Sequence, residues 1–212
     1  MLQREFINKY MLSTEKRFSH DFDCESFTRV TNENLSHLNL TNMNLKNFYF
    51  ENCIMDNCYF DNSSLVGSVF KNCSGHNVSF IETRLIESII ENSTFYMSDF
   101  SSSNMRSSHI SNSHLNGCIL KDVLGREIKI YESSLIYANL SGSDLYYCHI
   151  ESSDFKGCIM NNVIFDRGVV ININDDCEFK SCSFYECIFD LYKPKGRYPE
   201  LKPQLRLISN NS

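Results

Sequence analysis

Stepping along the chain in fives from Leu35 to Phe165, an apolar residue stands at 25 of 27 positions, from Leu35, Leu40, Leu45 and Phe50 to Phe155, Met160 and Phe165. Only Gly75 and Gly125 interrupt the run. A period of five fits neither a helix at 3.6 nor a strand at 2. The flanking positions repeat as well. Two residues before the apolar centre lies a small residue in 19 of 27 pentads (Cys53, Ser63, Ser98, Ala138), and two residues after it lies Asn or Gly in 14 of 27 (Asn42, Asn57, Gly67, Gly142). Asn and Gly tolerate positive φ, so that position predicts a tight turn. Each pentad is then a short extended segment ending in a corner, and a corner every five residues winds the chain into a coil.

A second period sets the size of that coil. Asn52, Asn72, Asn92 and Asn112 stand 20 residues apart at one pentad position, which predicts an asparagine ladder and four pentads per square turn. Large centre and small partner point inward, and coils stack at the spacing of paired strands, ~4.8 Å, giving a rod of roughly 36 Å. No pentad is gained or lost between 35 and 165, so that stretch carries no large loop. Phe179, Phe184 and Phe189, with Cys177, Cys182 and Cys187, restart the register one residue early, which predicts a bulge or short loop within 166–176. Leu2, Phe6, Ile7, Tyr10 and Met11 are helically spaced within 1–17 and predict a short helix over the open end, with Phe22 and Phe27 beginning an irregular first turn. The three prolines, Pro194, Pro199 and Pro203, all follow the coil. The organisation read from this is a helical cap and lead-in over 1–30, a coil over 31–190, and a basic, Pro-containing tail over 191–212. The tail is either an arm packed on the last coil or a disordered end.

The pattern small–polar–large apolar–polar–variable is legible in Ser98-Asp99-Phe100-Ser101-Ser102, Ala138-Asn139-Leu140-Ser141-Gly142 and Ser153-Asp154-Phe155-Lys156-Gly157. It resembles the pentapeptide-repeat family over about three quarters of the chain. The resemblance implies an all-β fold, a right-handed quadrilateral β-helix, here with a short N-terminal helical cap and an irregular C-terminal tail.

Composition narrows the chemistry. Nine of the ten cysteines take the small inward position, where Ser, Ala and Thr also serve. Their spacing is that of the repeat and not of a zinc motif, and free buried thiols in a reducing compartment are expected. Cys53 and Cys73 should stack one coil apart, at a ladder spacing slightly long for a relaxed disulfide. His109 and His149 share a position two coils apart, ~9.6 Å, too far to share a metal, and His114 belongs to the next side. There is no G-x-S-x-G elbow, no G-x-G-x-x-G and no P-loop. The sequence therefore predicts no enzyme, no cofactor and no metal. It also predicts no membrane span, since no stretch approaches ~18 apolar residues. Met1-Leu2-Gln3-Arg4-Glu5-Phe6 lacks the apolar core of a secretory signal, so a cytoplasmic location is expected, with export as an effector as the alternative.

The 212 residues carry a net charge of −6, unevenly spread. Residues 1–30 balance, 31–190 hold 20 carboxylates against 10 basic residues, and 191–212 hold five basic residues against Glu200. Sorted by side, the pentads of Phe60, Phe80 and Phe100 net −3, and those bearing Lys46, Arg84, Arg106, Arg126 and Arg167 net +1. A duplex carries one charge per ~1.7 Å, about twice the density of this coil. The pentapeptide-repeat family includes Qnr-type proteins that protect topoisomerases and resemble duplex DNA. This chain is similar to their loop-free branch in length, but ends in a basic tail where they have a dimerising helix. The resemblance implies a non-enzymatic DNA mimic that binds DNA gyrase or topoisomerase IV and modulates it or protects it from quinolones. Asp56, Asp61, Glu82, Asp99, Asp122 and Asp154 are the candidate contacts. It implies no direct nucleic-acid binding, and a homodimer through a terminal coil. A second candidate surface is aromatic: Tyr131, Tyr137, Tyr146 and Tyr147 fall within one coil at outward positions. It fits the alternative function, an interaction scaffold or bacterial effector module.

Overall fold

The computed structural model describes residues 2–11, 27–173 and 177–191. Over the long middle stretch the chain is a parallel β-helix in which each residue sits against the one 20 positions on. One side is a sheet of nine parallel strands: Thr28–Thr31, Phe48–Glu51, Val69–Lys71, Ile89–Glu91, His109–Ser111, Lys129–Tyr131, His149–Glu151, Val169–Ile173 and Ile188–Leu191. Its register pairs Phe50 with Phe70, Phe70 with Ile90 and Ile130 with Ile150. Eight steps along the axis at ~4.8 Å make a rod of about 38 Å. We call this side face I and the following pentads, centred on Leu35, Leu40 and Leu45, faces II, III and IV. Those three faces are joined largely by single bridges such as Asn34↔Ile54, Asn39↔Tyr59 and Asn44↔Ser64.

The hydrophobic pattern is realised in full. Every apolar centre from Leu35 to Phe165 is at most 3% exposed. Phenylalanines stack down the axis, Phe60 on Phe80 at 5.0 Å and Phe80 on Phe100 at 4.6 Å. The two glycine interruptions are filled by neighbours. A Cβ on Gly75 would lie 2.4 Å from Val78 Cγ2, and one on Gly125 would lie 2.7 Å from Leu145 Cδ2.

The corners behave as the Asn and Gly pattern requires, and more generally. Every corner residue from Asn32 to Asn172 has positive φ, between 47° and 77°, although glycine supplies only four of them, Gly67, Gly117, Gly142 and Gly157. The rest include Glu82, Glu87, Glu127, Glu132, Tyr137, Tyr147 and Arg167, residue types for which the left-handed region costs roughly 1–2 kcal/mol. The ladders on either side hold the backbone there.

Corner backbone bonds come in two forms. At most corners of faces II, III and IV the N–H two residues ahead of the next centre closes a turn, as in Ser63 N to Phe60 O (3.0 Å) and Ser103 N to Phe100 O (3.1 Å). At seven other corners that donor goes to a serine hydroxyl of the following coil. Met43, Cys73, Val78, Ser93, Ser113, Val123 and Ser133 donate to Ser63, Ser93, Ser98, Ser113, Ser133, Ser143 and Ser153, at 2.8–3.2 Å. Four of these bonds run down face II, directly after the face I corners, where the flat strand leaves no closing turn bond. A buried N–H must find an acceptor, and here serine supplies it.

At the N-terminus the helix is short, Gln3–Phe6 followed by a π turn Ile7–Met11, and residues 12–17 lie outside the described residues. Glu5 accepts the Leu2 N–H at 2.9 Å, and Phe6 is fully buried 6.2 Å from Phe48. Phe27 packs edge-on to Tyr49, whereas Phe22 is not described. The register change near the end is an irregularity between Val170 and Ile173. The asparagine ladder is displaced from its expected span: Asn52 donates to Asn32 (3.1 Å) and Asn72 to Asn52 (3.3 Å). Asn92 turns instead to Glu91, a charged and stronger acceptor. All nine described cysteines are free thiols. The tail beyond Leu191, with its three prolines, lies outside the described residues.

Candidate protein-interaction surface

Because the inside of the rod is taken up by packing, partners must meet its corners and faces. Asp61, Glu82, Asp99 and Asp122 all belong to face III, while Asp56 and Asp154 belong to face II. They are not equivalent. Asp56 accepts the His76 N–H (2.8 Å), and Asp61 accepts Ile81 N–H (3.0 Å) and Ser79 Oγ (2.5 Å). Asp99 and Asp154 accept the N–H two residues on, Ser101 and Lys156. These four carboxylates fasten backbone. The same clamp recurs with Asn116, which takes Ser134 Oγ and Ile136 N–H, and with Asp166, which takes Ser183 Oγ and Tyr185 N–H.

Glu82 and Asp122 are different. Both are exposed corner residues in the same column, two coils or ~9.6 Å apart, held outward by a left-handed backbone. The Asp122 carboxylate lies over Gly142, where a Cβ would come within 2.1 Å of Oδ1. Four further carboxylates at positive-φ corners join them, Glu87, Glu127, Glu132 and Glu186, which reading by face totals missed. The legible signal was an acid at the position where Asn or Gly is relaxed. Glu82 and Asp122 border face IV on one side, and Glu87 and Glu127 border it on the other. Exposed Arg84 and Arg106 lie between these acidic edges.

The four tyrosines share a coil and yet do not form one patch. Tyr131 lies on face I, wedged between His109 (5.3 Å) and His149 (5.1 Å). Burial and the neighbouring Lys129 push the His109 pKa down, and burial followed by Glu151 pushes Tyr131 up. Tyr137 stands at the corner of face II, 67% exposed, its ring over Gly157. Tyr146 and Tyr147 meet edge to face at 5.0 Å on face IV. Arg126 lies over the Tyr146 ring while pairing with Asp144 at 2.6 Å, and Arg167 pairs with Glu186 at 2.9 Å. Tyr185, 55% exposed, follows in the Tyr146 column. An aromatic and arginine cluster therefore occupies face IV near the last coils, including Tyr185, which sequence reasoning missed because it lies beyond the register break. Among the described residues no group of three or more His, Cys, Asp or Glu is placed to hold a metal, and no helix is long and apolar enough to cross a membrane.

The fold and its repeat define a pentapeptide-repeat β-helix. The family model for pentapeptide repeats matches residues 129–162, and that of the SV2A/B/C luminal domain matches residues 9–95. Among solved structures, the chain is similar to a trypsin-treated form of QnrB1, described as a plasmid-mediated fluoroquinolone resistance protein. The two share 16% identity and a TM-score of 0.59, over 78% of this chain and 87% of that one. Full-length QnrB1 gives 13% identity and a TM-score of 0.58, over 74% and 84%. HetL, a pentapeptide repeat protein from the cyanobacterium Nostoc, shares 13% identity over 84% and 92%, with a TM-score of 0.38. No curated protein matches by sequence.

Proposed function

We propose that this chain is a non-enzymatic binding protein whose acidic corners take the place of DNA phosphates on DNA gyrase or topoisomerase IV, modulating the enzyme or protecting it from quinolones. The observation that carries this reading is an unbranched rod of QnrB1-like fold with outward carboxylates at Glu82, Asp122, Glu87 and Glu127. Corner carboxylates suit the role better than Asp56 or Asp61, whose oxygens already accept backbone N–H groups. Competition of this kind is electrostatic and fades with ionic strength.

The test is gyrase supercoiling with a quinolone present, titrating the protein at two salt concentrations. Protection or inhibition that weakens at high salt, and weakens again in a Glu82→Gln/Asp122→Asn variant, supports the mimic. An effect indifferent to salt, or no effect at micromolar protein, refutes it. A second reading, a protein-interaction scaffold, is favoured by the Tyr146, Tyr147, Arg126 and Arg167 cluster, since aromatic and arginine side chains dominate binding hot spots. It predicts that Tyr147→Ala disturbs partner capture more than neutralising the acidic corners.

A further inference from the structure

The small inward column of face II reads Glu33, Cys53, Cys73, Ser93, Ser113, Ser133 and Ser153. Its two cysteines occupy neighbouring coils on segments already locked in register by Phe50↔Phe70 and Glu51↔Lys71. Stacked parallel positions lie ~4.8 Å apart, within the Cα separations a disulfide spans, ~4.4–6.8 Å, and slightly beyond its relaxed Cβ separations, ~3.5–4.5 Å, so a bridge here closes under strain and is the more easily reduced. Each thiol lies against a backbone carbonyl of the coil before it: Cys53 Sγ is 3.4 Å from Val30 O, and Cys73 Sγ is 3.5 Å from Phe50 O. The column is also not sealed by an apolar residue at its N-terminal end. Glu33 occupies the place before Cys53, its side chain 21% exposed and held by Lys9 and by Tyr10 Oη at 2.7 Å.

We propose that Cys53 and Cys73 form a reversible redox pair, closing to an intrachain disulfide when a peroxide reaches them past Glu33. Position distinguishes the two: Cys53 lies beside Glu33 at the N-terminal end of the column, and Cys73 lies one coil deeper. Cys53 as thiolate attacks one peroxide oxygen, the O–O bond breaks, and hydroxide leaves with Cys53 as sulfenic acid. The Cys73 sulfur then attacks that sulfenic sulfur, the S–O bond breaks, and the released oxygen and the Cys73 proton end in water. Both sulfurs are oxidised, and one peroxide is reduced to two waters. Cys58 and Cys118 have no cysteine beside them in their column, and burial raises both to about 12; Cys158, raised likewise, is followed one coil on by the half-buried Cys177 through the Met160↔Phe179 register.

The experiment treats the purified full chain with hydrogen peroxide, alkylates under denaturing conditions and maps the peptides by mass spectrometry. The expected result is a linked Cys53–Cys73 peptide lighter by two hydrogens, with two of the ten thiols protected from alkylation and released by dithiothreitol. Cys53→Ser should abolish the link and fold normally, because serine fills the same column in later coils; Cys58→Ser should leave it intact. Absence of the link in protein whose circular dichroism is unchanged would overturn the proposal. So would a Cys53 driven to sulfinic acid without a bridge, or an undiminished loss of two thiols in Cys53→Ser.

Discussion

Ser113→Ala isolates the serine ladder from ordinary core packing. Ser113 is fully buried; its Oγ accepts the Ser93 N–H at 3.1 Å and donates to Ser111 O at 2.8 Å. Ser93 N–H has no turn bond, so losing the hydroxyl leaves a buried donor unpaired, at a cost of about 1–3 kcal/mol. The control is Ser103→Ala at the equivalent position of face IV. Ser103 is equally buried, but its Oγ has no partner, and the N–H one coil earlier, on Thr83, already closes a turn to Phe80 at 3.2 Å. Removing that hydroxyl should be neutral or stabilising. For a domain of this size each kcal/mol moves Tm by roughly 2–4 °C, so thermal scans separate the two variants readily. Amide exchange adds a local readout, in which the Ser93 N–H should lose protection in Ser113→Ala alone. Equal destabilisation of the two variants, or a Ser93 amide still protected, would show that the ladder bonds are incidental to stability.

Other perturbations follow from the corners, the cap and the histidines. Glu132→Gly relieves a left-handed glutamate at φ 47° and should stabilise by about 1 kcal/mol in urea titration. Gly142→Ala should destabilise, because the new Cβ meets Asp122 Oδ1 at 2.1 Å, and Asp122→Ala should recover part of the loss in the double variant. Phe6→Ala removes a fully buried ring from Phe48 and should cost about 3–5 kcal/mol, seen first as lost amide protection in the coil of Thr28–Thr31. The folded His109 pKa lies below its unfolded value of about 6.5, so the unfolded chain binds more protons and stability falls as pH drops through and below that value. His109→Gln should flatten that part of the pH profile measured by denaturant midpoint.

The fold was legible because its instruction is local and repeated. A buried centre every five residues, with a residue tolerant of positive φ two places later, leaves the backbone no other course, and Leu35 through Phe165 obey it. What escaped was whatever depends on hydrogen-bond partners 18–23 residues away. Asp61 and Glu82 look alike as acidic residues on one side, but Ser79 and Ile81 claim Asp61 for the backbone and leave Glu82 outward. Tyr131 and Tyr147 share a coil in sequence, and a four-sided cross-section sends them to different faces. Asn92 could have continued the ladder had Glu91 not offered a closer charge.

A chain that repeats every 20 residues carries a hazard of its own: one coil could skip its neighbour and stack on the next with nearly the same contacts. Gly75 and Gly125 work against this. Each leaves a notch shaped for the side chains that now fill it, Val78 and Phe95 at the first and Leu145 at the second. A slipped coil would bring a full-sized centre against a space already taken, or leave a void where a side chain should be. The two breaks in the pattern thus act as keys, giving an otherwise periodic rod one assembly register and a way to reject its own near-copies during folding.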